Sequence, residues 1–511
     1  MRKLGRLLFS RYAISAGMIV LEVLLIVYLF LSAFTHWYIA LGLTVIINII
    51  ALVDIINKDA NPEYKITWAV VVLVLPLVGT ILYVMFYRRR MTRREAMLLA
   101  SSFSLLNKYR NCDEAFDSIV AASAGASGKA RAIMNEDPIS EIYKNTTSKF
   151  FPTGEEYFTD LIADLKKAEN YIFLEYYIIE DGKLWGEIHK ILKEKAAAGV
   201  DVRLMYDDLG CMNTLPNRYE YTLRREGIRA YCFGKVSPRL SSVHNNRDHR
   251  KICVIDGRVG YTGGVNMADE YINEIVRFGH WKDGGIRVEG HAALGFLKLF
   301  ITMWDFTEGS VSNYISLFDF KAPKTEGDGG YYIPLSSGPA PTYPACVGEN
   351  AILNLINQSK NYIYITTPYL IIDYALTEAL KNAARRGVEV IIVTPGKADK
   401  KLVKLMTKSF YPQLVSSGVK IYEYAPGFMH EKLIVSDDIY AMIGTINMDY
   451  RSLVHHYEDA LWMYKSPTVL KIKEEFLKTL SVCVQINEKN AKLSFSQKVT
   501  KDLIRIFAPL L

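Results

Sequence analysis

Three long apolar stretches open the chain: Tyr12 to Phe34 with one charge at Glu22, Trp37 to Val53 with none, and Ile66 to Tyr87 with none. The first and third are long enough to cross a bilayer as helices, and the second is at the short limit. Residues 95 to 140 are helical at first and then rich in Ala, Ser and Gly (Ala121 to Gly128), which predicts a connecting segment. After that, passages of helical periodicity alternate with short apolar β-type runs, and the order repeats. Leu161, Ile162, Leu165 and Asn170-Tyr171-Ile172 are matched by Ile352, Leu353, Ile356 and Asn361-Tyr362-Ile363; Gly199-Val200-Asp201-Val202 by Gly387-Val388-Glu389-Val390; Glu226-Gly227-Ile228 by Ser417-Gly418-Val419. Helix, strand, helix, strand and a final motif strand make an α/β layered unit, present twice. The organisation predicted is an anchor of two to three helices over residues 1–95, a connecting segment over 96–140, and two α/β units over 141–325 and 326–511. The Lys-, Gly- and Pro-rich stretch Lys321 to Gly330 divides them. An insertion around Pro238 to Asn246 distinguishes the first unit, and the tail from Phe495 reads as an amphipathic helix packed on the domain.

With 511 residues, half of them apolar, the chain can bury more than one core. The net charge of +7 is modest but local: Arg88, Arg89, Arg90, Arg93 and Arg94 follow the third apolar stretch, and Arg2, Lys3, Arg6 and Arg11 precede the first. Basic clusters beside apolar spans suit anionic lipid better than nucleic acid, so no nucleic-acid partner is expected. Such clusters mark the cytoplasmic side, and three full crossings cannot place both there. Either one stretch does not cross or the N-terminal cluster loses. The reading adopted is a multi-pass cell-membrane protein with at least two crossings and a cytoplasmic catalytic part. The six cysteines form no paired spacing, which argues against a disulfide framework, and no spacing of the nine histidines makes a metal site.

The final strand of each unit carries the chemistry. His249-Arg250-Lys251 is followed by four residues, Asp256, six residues and Gly263-Gly264-Val265-Asn266; His430-Glu431-Lys432 by four residues, Asp437, six residues and Gly444-Thr445-Ile446-Asn447. Residues two apart on a strand share a face, so each His and its Lys look into one cavity while the residue between them looks away. Two imidazoles and two ammonium groups converging on one site suit attack on a phosphate ester. Lys251, Lys432, Asn266 and Asn447 would hold the non-bridging oxygens. A neutral histidine would attack phosphorus while a protonated one releases the leaving alcohol, and a phosphohistidine would divide the reaction into two steps. Asp283 and Glu458, each just before an apolar strand, are the candidate partners for the second ring nitrogens. Asp256 and Asp437 complete the motif as local structural anchors. Tyr176-Tyr177, Tyr206-Asp207-Asp208 and Pro368-Tyr369 end predicted strands where the cavity should open, with pocket lining and core packing both open to them.

These residues resemble the phospholipase D superfamily, and within it the bacterial cardiolipin synthase family. The likeness spans the anchor passage from Trp68 to Phe86 with Pro76 and Gly79, Glu175-Tyr176-Tyr177, both motifs, and Gly444 through Ser452. Gly-Gly in the first motif and Gly-Thr in the second are similar to the synthases in particular. The resemblance implies two phospholipase D-type α/β/α sandwich domains forming one pseudo-twofold catalytic unit. It implies transfer of a phosphatidyl group from one phosphatidylglycerol to the glycerol hydroxyl of another, with no cofactor, and it makes His249 the nucleophile and His430 the acid/base. Two departures are local: Asp248 stands where Asn is more frequent, and His456 where an Asn often precedes the Glu458 position. A membrane-bound phospholipase D hydrolysing phospholipid to phosphatidate would use the same residues and is the alternative expectation. A nuclease of the superfamily would show a basic groove, and an inactive scaffold would have lost a motif residue.

Overall fold

Apolar length alone does not settle which N-terminal stretches become spanning helices. The computed structural model describes residues 20, 22–24, 26–28, 37–58, 61–86, 93–109, 113–236, 246–311, 314–318, 326–340, 342–343, 345–492 and 494–505. Most of the stretch Tyr12 to Phe34, the arginines at 88 to 90, most of the Pro238 to Asn246 insertion and part of the Lys321 to Gly330 divider therefore lie outside the described residues. Trp37 to Val53 extends into a 21-residue helix, α1 (Trp37–Asn57). Its segment Ala40–Asn57 is the one helical segment among the described residues long and apolar enough to cross a membrane.

The third stretch does not form a single spanning helix, contrary to expectation. It divides into α2 (Pro62–Val74) and α3 (Val78–Phe86), because Pro76 has no N–H to continue the ladder and Leu77 takes a left-handed φ of 65°. α3 then runs back along α2: Trp68 and Tyr83 meet edge to face with ring centroids 5.7 Å apart. A Cβ on Gly79 would come 2.2 Å from the Val71 carbonyl oxygen, so only glycine allows this approach. Thr80 and Tyr83 donate to Asn48 and Asp54 of α1, each at 2.7 Å. The 13 residues of α2 rise about 20 Å, short of a hydrocarbon core of about 30 Å.

The Ala-, Ser- and Gly-rich passage is not an extended linker. Ser123 caps the helix Ala124–Glu136, whose Ala126, Ala130 and Ile133 are buried in the main core. The small side chains serve close packing. Lys129 donates to Gln358 at 2.8 Å, and Asp137 accepts from the Ser336 amide at 2.7 Å.

Two sheets follow. The first half supplies β1 (Thr146–Phe151), β2 (Tyr171–Tyr176), β3 (Asp201–Asp207), β4 (Arg229–Phe233), β5 (Lys251–Ile255), β6 (Val259–Gly263), β7 (His280–Lys282) and β8 (Gly285–Gly290). The second supplies β9 (Tyr331–Ser337), β10 (Tyr362–Thr366), β11 (Leu370–Ile371), β12 (Glu389–Pro395), β13 (Lys420–Tyr424), β14 (Gly427–Met429), β15 (Leu433–Ser436), β16 (Tyr440–Gly444), β17 (Met448–Asp449), β18 (Glu458–Tyr464) and β19 (Cys483–Ile486). Spatial order is β1-β8-β6-β5-β2-β3-β4 in one sheet and β9-β18-β16-β15-β10-β12-β13-β19 in the other. Strand for strand the two agree, with β19 added at one edge. β2, β3 and β4 pair in parallel, as do β10, β12 and β13, so helices such as Lys183–Ala197 and Tyr374–Arg385 must carry the chain back between them. The motif strands β5 and β15 lie antiparallel to β2 and β10 at the sheet centres. Parallel pairing of β7 with β14 joins the halves beside the second motif. The tail helix Phe495–Arg505 packs on the domain, with Arg505 over the Phe410 ring.

Candidate active site

Strand alternation sets the motif side chains as the spacing predicts. His249 and Lys251 are buried on one side of the first motif segment, while Arg250 turns the other way and donates to the Leu299 carbonyl and the Ser336 hydroxyl at 3.0 and 2.7 Å. In the second motif His430 and Lys432 are likewise buried, and Glu431 turns away to accept from Thr366 at 3.3 Å.

Each histidine is held by the opposite half. His249 donates its backbone N–H to the Tyr457 carbonyl at 2.9 Å, and its Nδ1 lies 2.9 and 3.0 Å from the two Glu458 oxygens. His430 donates its backbone N–H to the Lys282 carbonyl at 2.8 Å, and its Nδ1 lies 2.5 Å from Asp283. A carboxylate facing Nδ1 fixes the proton there and leaves Nε2 as the reactive nitrogen. Lys432 Nζ sits 2.9 and 3.1 Å from Nδ1 and Nε2 of His430, and Lys251 Nζ donates to the His249 carbonyl at 2.8 Å. Glu458 also accepts from the hydroxyls of Thr445 and Ser452. The first motif has Gly264 where the second has Thr445, and a Cβ at Gly264 would stand 2.1 Å from Asp283 Oδ1. The Gly-Gly and Gly-Thr signatures thus reflect different packing against the two acids.

The surroundings of the histidines differ. Tyr177 and His456 flank His249, with ring centroids at 4.9 and 5.5 Å. Tyr271, Trp281 and Phe428 enclose His430, at 5.4, 5.3 and 5.8 Å. Burial pushes the His249 imidazole down to about 3 despite the pull of Glu458, and pushes His430 well below its ordinary range. Burial also lowers Lys251 to about 8 and Lys432 to about 7, and raises Asp283 to about 6. Burial would raise Glu458 as well, but His249 overrides it and holds the carboxyl well below the usual range. Both imidazoles are therefore neutral at neutral pH.

Two groups of expected site residues are placed elsewhere. Asp256 and Asp437 lie beyond the far ends of the motif strands, away from the reactive nitrogens, with left-handed φ of 53° and 54°. Asp256 accepts the backbone N–H groups of Glu169, Asn170 and Tyr171 at 2.7 to 2.9 Å. Asp437 accepts those of Lys360, Asn361 and Tyr362 at 2.8 to 3.0 Å. They tie the turn after the motif strand to the start of its neighbour. Asn266 accepts from the Ile178 N–H at 3.0 Å and donates to the hydroxyl of Tyr271, a ring beside His430, at 2.6 Å. Asn447 is buried with its carbonyl oxygen unpartnered among the described residues.

Of the tyrosine runs, Tyr177 reaches the site, Tyr176 packs in the core, and Tyr369 lines a cavity of about 270 Å³ with Ile371, Lys400, Leu402, Val403, Met406, Asp449, Tyr450 and Arg451. Asp207 supports the first motif by accepting from the Asp248 amide and the buried Arg247 guanidinium. The anchor touches the same region: the Tyr450 hydroxyl donates to Glu63, Asn61 donates to Asp373 at 2.9 Å, and the rings of Tyr64 and His455 lie 5.9 Å apart. Sequence reasoning missed the aromatic enclosure of His430 and the place of His456. Aromatic residues in apolar runs carry no local mark of function.

A paired-motif site shared by two repeated α/β halves defines a phospholipase D-type phosphoryl-transfer protein. Residues 161–275 and 352–480 match the family described as cardiolipin synthase, phospholipase D-like domain, and residues 46–88 match a phospholipase D-nuclease N-terminal family. A cardiolipin synthase of Alkalihalophilus pseudofirmus is 33% identical over 89% of this chain and 90% of its own length. One of Halalkalibacterium halodurans is 32% identical over 95% and 96%. An uncharacterized Streptococcus mutans protein is 38% identical over 89% and 98%. The crystal structure of a Haemophilus influenzae phosphatidylserine synthase shares the fold, with a TM-score of 0.53 at 14% identity over 75% of this chain and 98% of that one. The chain belongs to the cardiolipin synthase family, and it is a membrane-associated phospholipid phosphatidyltransferase.

Proposed function

We propose that this enzyme makes cardiolipin by transferring a phosphatidyl group from one phosphatidylglycerol to the glycerol hydroxyl of a second. The crossed histidine–carboxylate pairs carry the reading. Neutral His249, with Nδ1–H on the anionic Glu458, attacks phosphorus through Nε2, and Glu458 offsets the positive charge that develops on the ring. His430, protonated once the anionic substrate is bound, gives its Nε2 proton to the departing glycerol oxygen. The hydroxyl of the second lipid then enters, returns a proton to His430 and displaces His249 from phosphorus. Lys251 and Lys432 face the non-bridging oxygens throughout. Asp283, raised to about 6, suits a pair that gains and loses one proton per half-reaction, which supports His430 as acid/base.

We also place the catalytic halves at the cytoplasmic face. The turn between α1 and α2 contacts the catalytic domain through Asn61 and Glu63, and α3 returns to that same side. With α1 crossing and the α2–α3 hairpin only dipping in, the arginines that follow α3 in the sequence fall on the side of the catalytic halves, as the positive-inside tendency asks.

The deciding experiment gives purified, detergent-solubilised protein labelled phosphatidylglycerol without nucleotide or added metal. Labelled cardiolipin with released glycerol is expected. Phosphatidate as the sole product would make water the acceptor and the enzyme a hydrolase.

A further inference from the structure

His456 has no assigned task, yet it stands beside His249. Its ring is buried, its Nδ1 is 3.5 Å from Glu458 Oε1, and neither ring nitrogen has a hydrogen-bond partner among the described residues. A buried imidazole left in this state is costly unless a partner arrives. Its main chain is fixed, with the backbone N–H donating to the Arg451 carbonyl at 2.8 Å, so the ring is presented by a held segment. The repeat places Trp281 at the matching position, two residues before Asp283 as His456 is two before Glu458. An indole can only donate and cannot carry a proton, so the imidazole is peculiar to the His249 side.

Ligand-capable atoms of His249, His456 and Glu458 all lie within 4.8 Å of one another. That grouping would suit a cation if the carboxylate were free. Glu458 already accepts from His249, Thr445 and Ser452, so beside the reactive Nε2 of His249 the open hydrogen-bonding capacity of this cluster lies on His456. In an in-line displacement the attacking nitrogen and the alcohol oxygen take opposite apices. A group flanking the attacking nitrogen can reach only the three equatorial oxygens, of which the two non-bridging ones carry the negative charge and the third is the retained ester oxygen.

We propose that His456 is a third substrate-contacting imidazole, donating an N–H to a non-bridging phosphoryl oxygen while phosphorus is attached to His249. The assignment rests on His249 being the nucleophile. Were His430 to attack, His456 would flank the alcohol oxygen.

The test uses the full-length enzyme in detergent with labelled phosphatidylglycerol, and tungstate as a phosphate-mimicking oxyanion. His456→Ala should lower kcat on the order of 100-fold and weaken tungstate inhibition about 10-fold, with Tm unchanged. His456→Asn, which keeps a side-chain N–H, should recover most of both. Wild-type kcat and tungstate inhibition in His456→Ala would overturn the proposal, as would an Asn variant no better than Ala. Tungstate binding by calorimetry reads the contact whatever the lipid product is. Acid-quenched labelled adduct retained in His249→Ala and lost in His430→Ala would instead overturn the nucleophile assignment on which the contact depends.

Discussion

Glu458 of the second half hydrogen-bonds Nδ1 of His249 of the first, and Asp283 of the first half returns the arrangement to His430. Neither motif is chemically complete within its own half. The carboxylate that sets each imidazole's tautomer comes from the partner repeat, together with the backbone carbonyl that fixes its main chain.

Glu458→Gln keeps the shape of the side chain but removes the charge that sets the His249 tautomer and offsets its positive charge. Turnover should fall roughly 1,000-fold or more, in the range seen when a histidine loses its orienting carboxylate. Steady-state kinetics with labelled lipid measure this. A fall of less than 10-fold would mean that Glu458 does not set the nucleophile.

His249→Ala and His430→Ala should each abolish turnover with the protein still folded and membrane-bound. Lys251→Ala and Lys432→Ala should each raise the barrier by about 3 kcal/mol, the scale of losing one donor to a developing oxyanion. Circular dichroism beside product formation separates lost chemistry from lost folding. Normal activity in either histidine variant would sink the two-histidine mechanism.

Charge on the lysines should shape the pH profile. A lysine is charged below its pKa, and burial brings Lys432 down to about 7 and Lys251 to about 8. The positive charge available to an incoming phosphate is full below about 7 and is lost as pH rises through 7 and 8. His249, at about 3, stays neutral across this window. We expect kcat/KM, which reports the free enzyme, to decline on the alkaline side through that interval. A profile that keeps rising past it would contradict the assignment.

Gly264→Ala should be far more damaging than its size suggests, because the new Cβ would meet Asp283 at 2.1 Å and displace the partner of His430. Thr445→Val removes one hydroxyl from Glu458 and should cost only about 1 to 2 kcal/mol. Comparing kcat for the two variants checks the order. Equal losses would show that the Gly-Gly signature is not about room for the acid.

Asp256→Ala should act on stability. Three backbone N–H groups lose their acceptor, and a residue at φ 53° loses a side chain suited to the left-handed region. We expect a loss of about 2 to 4 kcal/mol, read as a lower Tm, with KM for phosphatidylglycerol little changed in the folded fraction. A large KM effect at unchanged Tm would return Asp256 to the site.

Much of this was legible in the chain. His-x-Lys on a strand states its own geometry, and the repeat offset from 249 to 430 implied two similar sheets. Asp283 and Glu458 could be picked out because each precedes an apolar strand. Their exchange between halves could not, since a repeat shows which positions are equivalent and not which copy they face. The hairpin of the third apolar stretch escaped because hydropathy counts apolar residues without registering that Pro76 and Leu77 reverse the chain. His456 escaped because adjacency to an acid in sequence does not reveal a ring packed against His249.

The contacts of Glu63 with Tyr450 and of Tyr64 with His455 fall on the few residues that lead into Glu458. A version trimmed to the two catalytic halves would keep both sheets and both motifs, yet lose the brace on the segment that delivers the nucleophile's carboxylate. In this enzyme the N-terminal helices belong to the catalytic scaffold.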